Sequence, residues 1–204
     1  MSTATYENSV FINCPFDPLY WPLFEAITFS VYDLGYFPRC ALEVDDSSQV
    51  RIDKITGIIK SCRLSIHDIS RTELDGTPPL PRFNMPLELG LFMGAKVFGG
   101  SAQKRKAGMI LDTEPYRFQR YISDIAGQDI RAHGGDPENV IRHVRGFLLS
   151  QSPRSSFLAG PDKVIERFRQ FKAEMPASLA ALHIDPADFG FHDLIRLVAG
   201  YVAS

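Results

Sequence analysis

The chain has few residues of the kinds that hold metal ions or disulfide networks. Its 204 residues include three cysteines, Cys14, Cys40 and Cys62. An odd number of cysteines without a Cys-x-x-Cys pair favours free thiols over a disulfide framework. No two histidines have the His-x-x-x-His spacing of a metal-binding helix. We therefore expect reduced cysteines, no metal ion and a cytoplasmic protein.

Long apolar runs and an excess of charge are also missing. No apolar stretch approaches the roughly 20 residues that cross a bilayer, and the segment Met1 to Asn8 has no basic stretch followed by an apolar run, so a signal peptide is not expected. The formal net charge of −2 gives no overall attraction to nucleic acid or to an acidic membrane. We expect no membrane contact and no extended nucleic-acid surface, and any phosphate would be recognised at a local site.

Three well-known motifs are absent: Gly-x-Gly-x-x-Gly, the P-loop Gly-x-x-x-x-Gly-Lys-[Ser/Thr] and the Gly-x-Ser-x-Gly elbow. Their absence disfavours a standard dinucleotide fold, a P-loop nucleotidase and an α/β-hydrolase. We expect no cofactor. Hydrophobic residues make up 45% and charged residues 23% of the chain, which is ordinary for a globular protein with a buried core.

Short apolar strands do alternate with helical patterns along most of the chain. Strands are predicted at 10–14, 36–42, 64–69, 107–111 and 129–133, and helices at 19–34, 49–62, 84–97, 117–125 and 137–149. This alternation is typical of parallel βαβ units. It predicts a flavodoxin-like three-layer α/β sandwich with a four- or five-stranded parallel sheet, whose ligands bind beyond the carboxyl ends of the strands.

Two regions depart from this alternation. The loop 70–83 contains Gly76, Pro78, Pro79 and Pro81, so no regular structure is expected there. Residues 1–150 are predicted to form the α/β domain. Residues 151–204 show only amphipathic helices, at 161–175 and 193–202, and predict a helical C-terminal extension that packs on the domain or on a partner chain.

Glu88 is the most unusual residue of the sequence. Between Met85 and Gly99 only Glu88 and Lys96 are charged, so this helix is expected to be covered by protein on most sides. A carboxylate buried without a partner is costly. If Glu88 lies in the first helical turn, as predicted, free N–H groups and the helix dipole would stabilise it by about 0.3–1 kcal/mol. A catalytic role explains it equally well.

Other polar side chains should meet Glu88 at the carboxyl edge of the sheet. Asp68 could accept a hydrogen bond from a ribose or a base, act as acid or base with Glu88, or only cap a turn. Arg39 and Arg82 could bind phosphate through paired N–H groups or form ordinary surface ion pairs. Asp17 could be a simple helix cap. The candidate catalytic residues are Glu88 and Asp68, and the candidate substrate-binding residues are Asn13, Phe16, Asp17, Arg39, Arg82 and Asn84.

Three segments resemble the nucleoside 2-deoxyribosyltransferase-like superfamily, which is distantly similar in fold to TIR domains. They are Phe11-Ile12-Asn13-Cys14-Pro15-Phe16-Asp17, Ile66-His67-Asp68-Ile69-Ser70 and Met85-Pro86-Leu87-Glu88-Leu89-Gly90. The resemblance covers roughly 10–133 and none of the C-terminal helices. It implies that Glu88 is the nucleophile that attacks the anomeric carbon of a nucleoside and that Asp68 helps bind or protonate the base.

The sequence departs from the family pattern at two places. Arg82-Phe83-Asn84-Met85-Pro86 replaces the family's Asp-Ser-Gly-Thr run, and Cys14 stands where a small residue or glycine is usual. The added arginine suits a phosphorylated substrate better than a free deoxynucleoside.

Two functional hypotheses follow. The first is an N-glycosidase or glycosyltransferase that acts on a nucleoside, nucleotide or NAD-like molecule, as in family members that serve as antiphage defence effectors. The second is a non-catalytic module for nucleotide-binding signalling or oligomerisation. The resemblance also implies a homo-oligomer, because family members often complete their sites with a neighbouring subunit.

Overall fold

The computed structural model describes residues 3–72, 74–75, 80–153 and 157–203. Seven strands and seven α-helices are present in these ranges. The strands are β1 Ser9–Asn13, β2 Phe37–Arg39, β3 Leu64–Asp68, β4 Leu74–Asp75, β5 Leu80–Pro81, β6 Ala107–Asp112 and β7 Ile130–Ala132. The helices are α1 Trp21–Asp33, α2 Arg51–Ser61, α3 Asn84–Phe98, α4 Ser101–Lys104, α5 Pro137–Gln151, α6 Pro161–Ala181 and α7 Phe191–Ala203.

Five strands form one sheet in the order β2-β1-β3-β6-β7, with all pairs parallel. Every residue of β1 and β3 is buried, which is typical of parallel strands covered on both faces. Helices α1 and α5 cover one face, and α2 and α3 cover the other. The chain is therefore a flavodoxin-like three-layer α/β sandwich with a five-stranded parallel sheet, as the alternation of elements predicts.

The C-terminal helices pack on this sandwich rather than standing apart from it. Phe29 of α1 lies 5.4 Å from Phe168, 5.3 Å from Phe171 and 6.0 Å from Tyr201, measured between ring centroids. Two ion pairs also join α6 to α1: Lys172–Glu25 at 2.6 Å and Arg167–Asp33 at 3.2 Å. The helices thus extend the core on the α1 side of the sheet.

Three local predictions need correction. The loop 70–83 does contain regular structure, because Leu74 and Asp75 pair antiparallel with Pro81 and Leu80; Gly76, Pro78 and Pro79 lie outside the described residues. Residues 117–125 form two 3-10 turns, 117–120 and 123–125, instead of an α-helix, because the side chains of Arg117 and Tyr121 turn inward to Asp112. Helix α6 continues past Pro176 to Ala181, since Leu179 beyond the proline is buried.

Candidate functional site

A cleft opens at the carboxyl edge of the sheet between β1 and β3. The chain leaves β1 toward β2 on one side and returns to β3 on the other, so this edge is the topological switch point where open α/β sheets bind ligands. The cleft has a volume of about 340 Å³. It is lined by Asn13, Cys14, Pro15, Phe16, Asp17, Arg51, Arg82, Asn84, Met85 and Glu88.

The cleft brings together most of the residues that the sequence predicts for the site. Six of them line it: Asn13, Phe16, Asp17, Arg82, Asn84 and Glu88. Arg39 and Asp68 lie elsewhere. Arg51 also lines the cleft and was not predicted, because it is the first residue of α2 and belongs to no recognised motif.

Glu88 is buried in the second turn of α3 and not in the first. Helix α3 begins at Asn84, and its first turn holds no acidic residue. The predicted first-turn position is therefore wrong, and free N–H groups of the helix start do not account for the carboxylate. Its side chain has no hydrogen bond or ion pair with the part of the chain that the structure describes, and Glu88 is 6% exposed.

The buried position of Glu88 raises the pKa of its carboxyl group. Burial raises the pKa of the carboxyl to about 7, against an opposing effect of the Arg51 guanidinium, which lowers it. Low-dielectric surroundings disfavour the charged form of a carboxyl group. Carboxyl groups with raised pKa values in a cleft are typical of functional sites, although buried structural groups also show them.

The start of α3 is fixed to the sheet by Asn13. The side-chain nitrogen Nδ2 of this buried residue donates to the carbonyl oxygen of Met85 at 2.8 Å and lies 2.9 Å from Nδ1 of His67. These two contacts connect the end of β1, the end of β3 and the first turn of α3. Asn13 therefore sets the position of the helix from which Glu88 projects.

Asp17 forms ion pairs with two arginine side chains at the mouth of the cleft. Its carboxylate accepts the backbone N–H groups of Leu19 and Tyr20, both at 3.2 Å, and so caps the turn before α1. The same carboxylate lies 3.4 Å from Arg82 and 3.6 Å from Arg71. Asp17 is thus more than a cap, because it holds two arginines beside the cleft.

Asp68 lies behind the cleft, fully buried at 0% exposure. It accepts hydrogen bonds from the Tyr20 hydroxyl at 2.6 Å and from the Ser70 backbone N–H at 2.8 Å. Nε2 of His133 lies 3.1 Å from its carboxylate. This nitrogen makes no hydrogen bond with the described residues, and the hydrogen-bond partners of Asp68 are Tyr20 at Oδ2 and Ser70 at Oδ1. The carboxylate of Asp68 therefore has a partner for each of its oxygens before any substrate binds.

Arg39 is engaged in an ion pair. Its Nε and Nη2 atoms donate to the two carboxylate oxygens of Glu43 at 2.6 Å and 2.5 Å, a paired geometry that Arg and carboxylate groups favour. Of the two roles predicted for Arg39, phosphate binding and an ion pair, the structure shows the ion pair.

A second cluster of polar side chains lies at the same edge and was not predicted from the sequence. Asp112, at the end of β6, is bound by Arg117 at 2.7 Å and approached by the Tyr121 hydroxyl at 3.1 Å. Both partners also contact the carbonyl oxygen of Ile69. The group ties the loop after β3 to the loop after β6 and so makes the edge of the sheet rigid.

Comparisons with protein-family models, characterised proteins and solved structures give no match to this chain. The described residues contain no group of three or more His, Cys, Asp or Glu side chains placed to hold a metal ion. Within the same ranges, no helix combines the length and the apolar character that crossing a membrane requires.

Proposed function

We propose that this protein cleaves the N-glycosidic bond of a nucleoside, nucleotide or NAD-like molecule, with Glu88 as the nucleophile. The observation that carries the proposal is a buried carboxylate without a described partner, which opens into a switch-point cleft beside two arginines. A buried carboxyl group without a hydrogen-bond partner is unfavourable for folding, on the order of 1–3 kcal/mol, which a role in the reaction would explain.

The chemistry has two steps. In the first, the Glu88 carboxylate attacks the anomeric carbon while the carbon–nitrogen bond breaks, and the electron pair leaves with the base nitrogen. A purine or pyrimidine leaves as an anion and takes a proton from water, whereas the nicotinamide of an NAD-like molecule leaves neutral and needs no proton. In the second, water or another base attacks the same carbon and releases Glu88. Retaining glycosidases use carboxylates in the same way.

The arginines favour a substrate that carries phosphate. Arg51 and Arg82 line the cleft with Glu88, and Arg71 is held near its mouth through Asp17. The overall charge of the chain is −2, so this concentration of positive charge is local. Guanidinium groups bind phosphate through paired, charge-assisted hydrogen bonds. A nucleotide or an NAD-like molecule therefore suits the cleft better than a free nucleoside.

Membership of the nucleoside 2-deoxyribosyltransferase-like superfamily is part of this proposal. It is supported by the three resembling segments and by the position of Glu88 in the cleft. In the proposed reaction Asp68, which lies behind the cleft with both oxygens hydrogen-bonded, holds the end of β3 in place and does not touch the substrate. The resemblance of the three segments to that superfamily is also what supports a role as an antiphage defence effector in the cytoplasm.

Homo-oligomerisation is proposed on a separate observation. The outer face of α3 is not covered as the sequence suggested, since Leu87 near its start and the neighbours Val97 and Phe98 at its end are exposed, Phe98 at 87%. Exposed apolar surface often marks an interaction site. Light scattering would measure the mass in solution, and a monomer that stays monomeric at high concentration would contradict the proposal.

The activity is tested by incubating the protein with nucleosides, nucleotides and NAD and separating the products by chromatography. We expect release of free base by the wild type and a loss of about a hundredfold or more in Glu88→Gln, because the amide is not a nucleophile. The matched control is Glu174→Gln, at an exposed position of α6, which should retain full activity. Mass spectrometry of the quenched reaction should find the sugar on the peptide that contains Glu88.

Two results would overturn the proposal. One is base release by Glu88→Gln at the wild-type rate, and the other is the absence of turnover with every member of the panel. Saturable nucleotide binding without turnover would instead support the alternative, a non-catalytic nucleotide-binding module.

A further inference from the structure

A second cavity lies between α3 and the strands β3 and β6. Its volume is about 250 Å³, and none of the residues that line it also lines the Glu88 cleft. Its walls are apolar and are formed by Leu89, Phe92, Met93, Val97 and Ile110. Lys96 and Gln128, both exposed, lie among the lining residues and mark its opening to solvent.

Gly108 keeps one wall of this cavity in place. A Cβ atom at this position would lie 2.9 Å from Cε1 of Phe92 and 2.9 Å from Oγ of Ser65, which is closer than van der Waals contact allows. The missing side chain lets the ring of Phe92 rest directly on β6. A flat aromatic wall is therefore built into the cavity by the sequence of the strand.

His67 lines the same cavity and carries a hydrogen-bond donor without a partner. The Met85 carbonyl can only accept, so the Asn13 atom that faces it is the NH₂ group. The same NH₂ group faces Nδ1 of His67, which must therefore be the acceptor. The neutral ring then carries its proton on Nε2, and this buried atom has no hydrogen-bond partner in the described part of the chain.

The ring of His67 stays neutral at physiological pH. Burial, together with the nearby Lys106 ammonium, lowers the pKa of His67 to about 3. A fully buried N–H group without a partner is unfavourable for folding. The side chain of His67 is thus a fixed donor in apolar surroundings, which is the usual construction of a small-molecule site.

We propose that this cavity binds a small aromatic ring that carries one hydrogen-bond acceptor, such as an unprotonated ring nitrogen, and that the acceptor receives the Nε2–H of His67. The ring would stack against Phe92 and contact the thioether of Met93, both favourable partners for an aromatic face or edge. An apolar cavity of about 150 Å³ is known to bind benzene, so this cavity has room for one or two fused rings. The site is independent of the reaction proposed for Glu88.

The experiment compares pyridine with benzene, two rings of equal size that differ in one acceptor. Each is titrated into the full-length protein, labelled with ¹⁵N in its histidines, at a pH where pyridine is unprotonated. We expect saturable binding of both rings and a preference for pyridine of about threefold to tenfold, the contribution of one hydrogen bond. The Nε2 resonance of His67 should shift with pyridine and shift less with benzene.

Two variants on α3 locate the binding. Met93→Trp fills the cavity and should abolish binding of both rings, whereas Phe98→Trp, at an exposed position on the same helix, should bind like the wild type. His67→Phe should bind the two rings equally. If that variant does not fold, Met93→Trp still tests the site, because it leaves the contact between His67 and Asn13 in place.

The proposal is overturned if the wild type shows no saturable binding, or if it binds pyridine and benzene equally. It is also overturned if Met93→Trp binds as well as Phe98→Trp, or if the His67 resonance stays fixed while pyridine binds elsewhere.

Discussion

At the scale of single residues, the protein places carboxylates in two opposite surroundings. Asp68 has a donor for each oxygen and lies at 0% exposure behind the cleft. Glu88 is buried and has no hydrogen-bond or ion-pair partner among the described residues, and burial raises the pKa of its carboxyl group to about 7. The two carboxyl groups therefore differ in the hydrogen bonds that they accept. Asp68 is bound in place at the strand end, and Glu88 lines the cleft.

The raised pKa of Glu88 has a consequence for stability. The carboxyl group keeps its proton up to about pH 7 in the folded protein, because its pKa is raised, whereas it releases the proton near its ordinary pKa of 4.5 in the unfolded chain. Between these values the folded state binds more protons, so the free energy of unfolding falls as pH rises, by at most about 1.4 kcal/mol per pH unit. In Glu88→Gln this contribution is absent.

The measurement is urea denaturation of both proteins at about pH 5 and about pH 8. We expect the wild type to lose more stability than Glu88→Gln across this interval. Equal pH dependence of the two proteins would show that Glu88 titrates as an ordinary exposed carboxyl.

Tyr20 is predicted to be important for stability. Tyr20→Phe removes the hydroxyl that donates to Asp68 at 2.6 Å and leaves a buried carboxylate with one partner fewer. We expect a loss of about 1–3 kcal/mol in the free energy of unfolding. The control is Tyr116→Phe, at an exposed position, which should change stability by less than about 0.5 kcal/mol. A similar loss in both variants would argue against a special contact with Asp68.

At the scale of elements, α3 connects the two candidate sites. Its first turns carry Glu88 and are fixed by the contact from Asn13 to Met85, while its later turns carry Phe92 and Met93 on the second cavity. The end of the helix is constrained as well. A Cβ atom on Gly99 would lie 2.4 Å from the Ala95 carbonyl oxygen and 2.6 Å from Cβ of Gln103.

Gly99→Ala should therefore destabilise the protein, since backbone at the end of α3 must move to admit the methyl group. We expect a loss of about 1–3 kcal/mol, typical of overpacked positions. Gly100→Ala is the matched control, because a Cβ atom there meets nothing within 4 Å. Thermal denaturation measures the melting temperatures of the two variants, and equal melting temperatures would contradict the prediction.

At the scale of the whole molecule, the C-terminal helices and the sandwich share one apolar core. Val164, Phe168, Phe171, Leu194 and Val198 belong to the same buried cluster as the α1 face of the sheet. Removing 151–204 would expose this face of α1. The extension therefore contributes to the stability of the α/β fold.

The contribution of the extension can be measured with one substitution. Phe171→Ala empties a buried position between Phe29 and Tyr201, and we expect a loss of about 3–5 kcal/mol. Phe157→Ala makes the same change at a side chain that is 99% exposed and should have little effect. Urea denaturation curves compare the two, and a small loss for Phe171→Ala would mean that α6 is held only loosely.

The amino-acid sequence by itself determined the class of fold. Buried strands such as 10–14 and 64–69 are local apolar runs between helical patterns, and the chain alternates them often enough to require a parallel sheet. The same local signals placed Asn13, Asp17 and Glu88 at the carboxyl edge. Turn and helix ends were less predictable, as residues 117–125 show, because contacts with Asp112 decide them.

Only the tertiary structure decided which polar groups meet. Arg51 comes to Glu88 from another helix, and Tyr20 and His133 enclose Asp68 from positions 48 and 65 residues away along the chain. Glu88 was expected in the first helical turn and lies in the second, so its burial, and not the helix start, sets its pKa. Burial and pairing depend on residues far apart in sequence, and no local pattern of amino acids can report them.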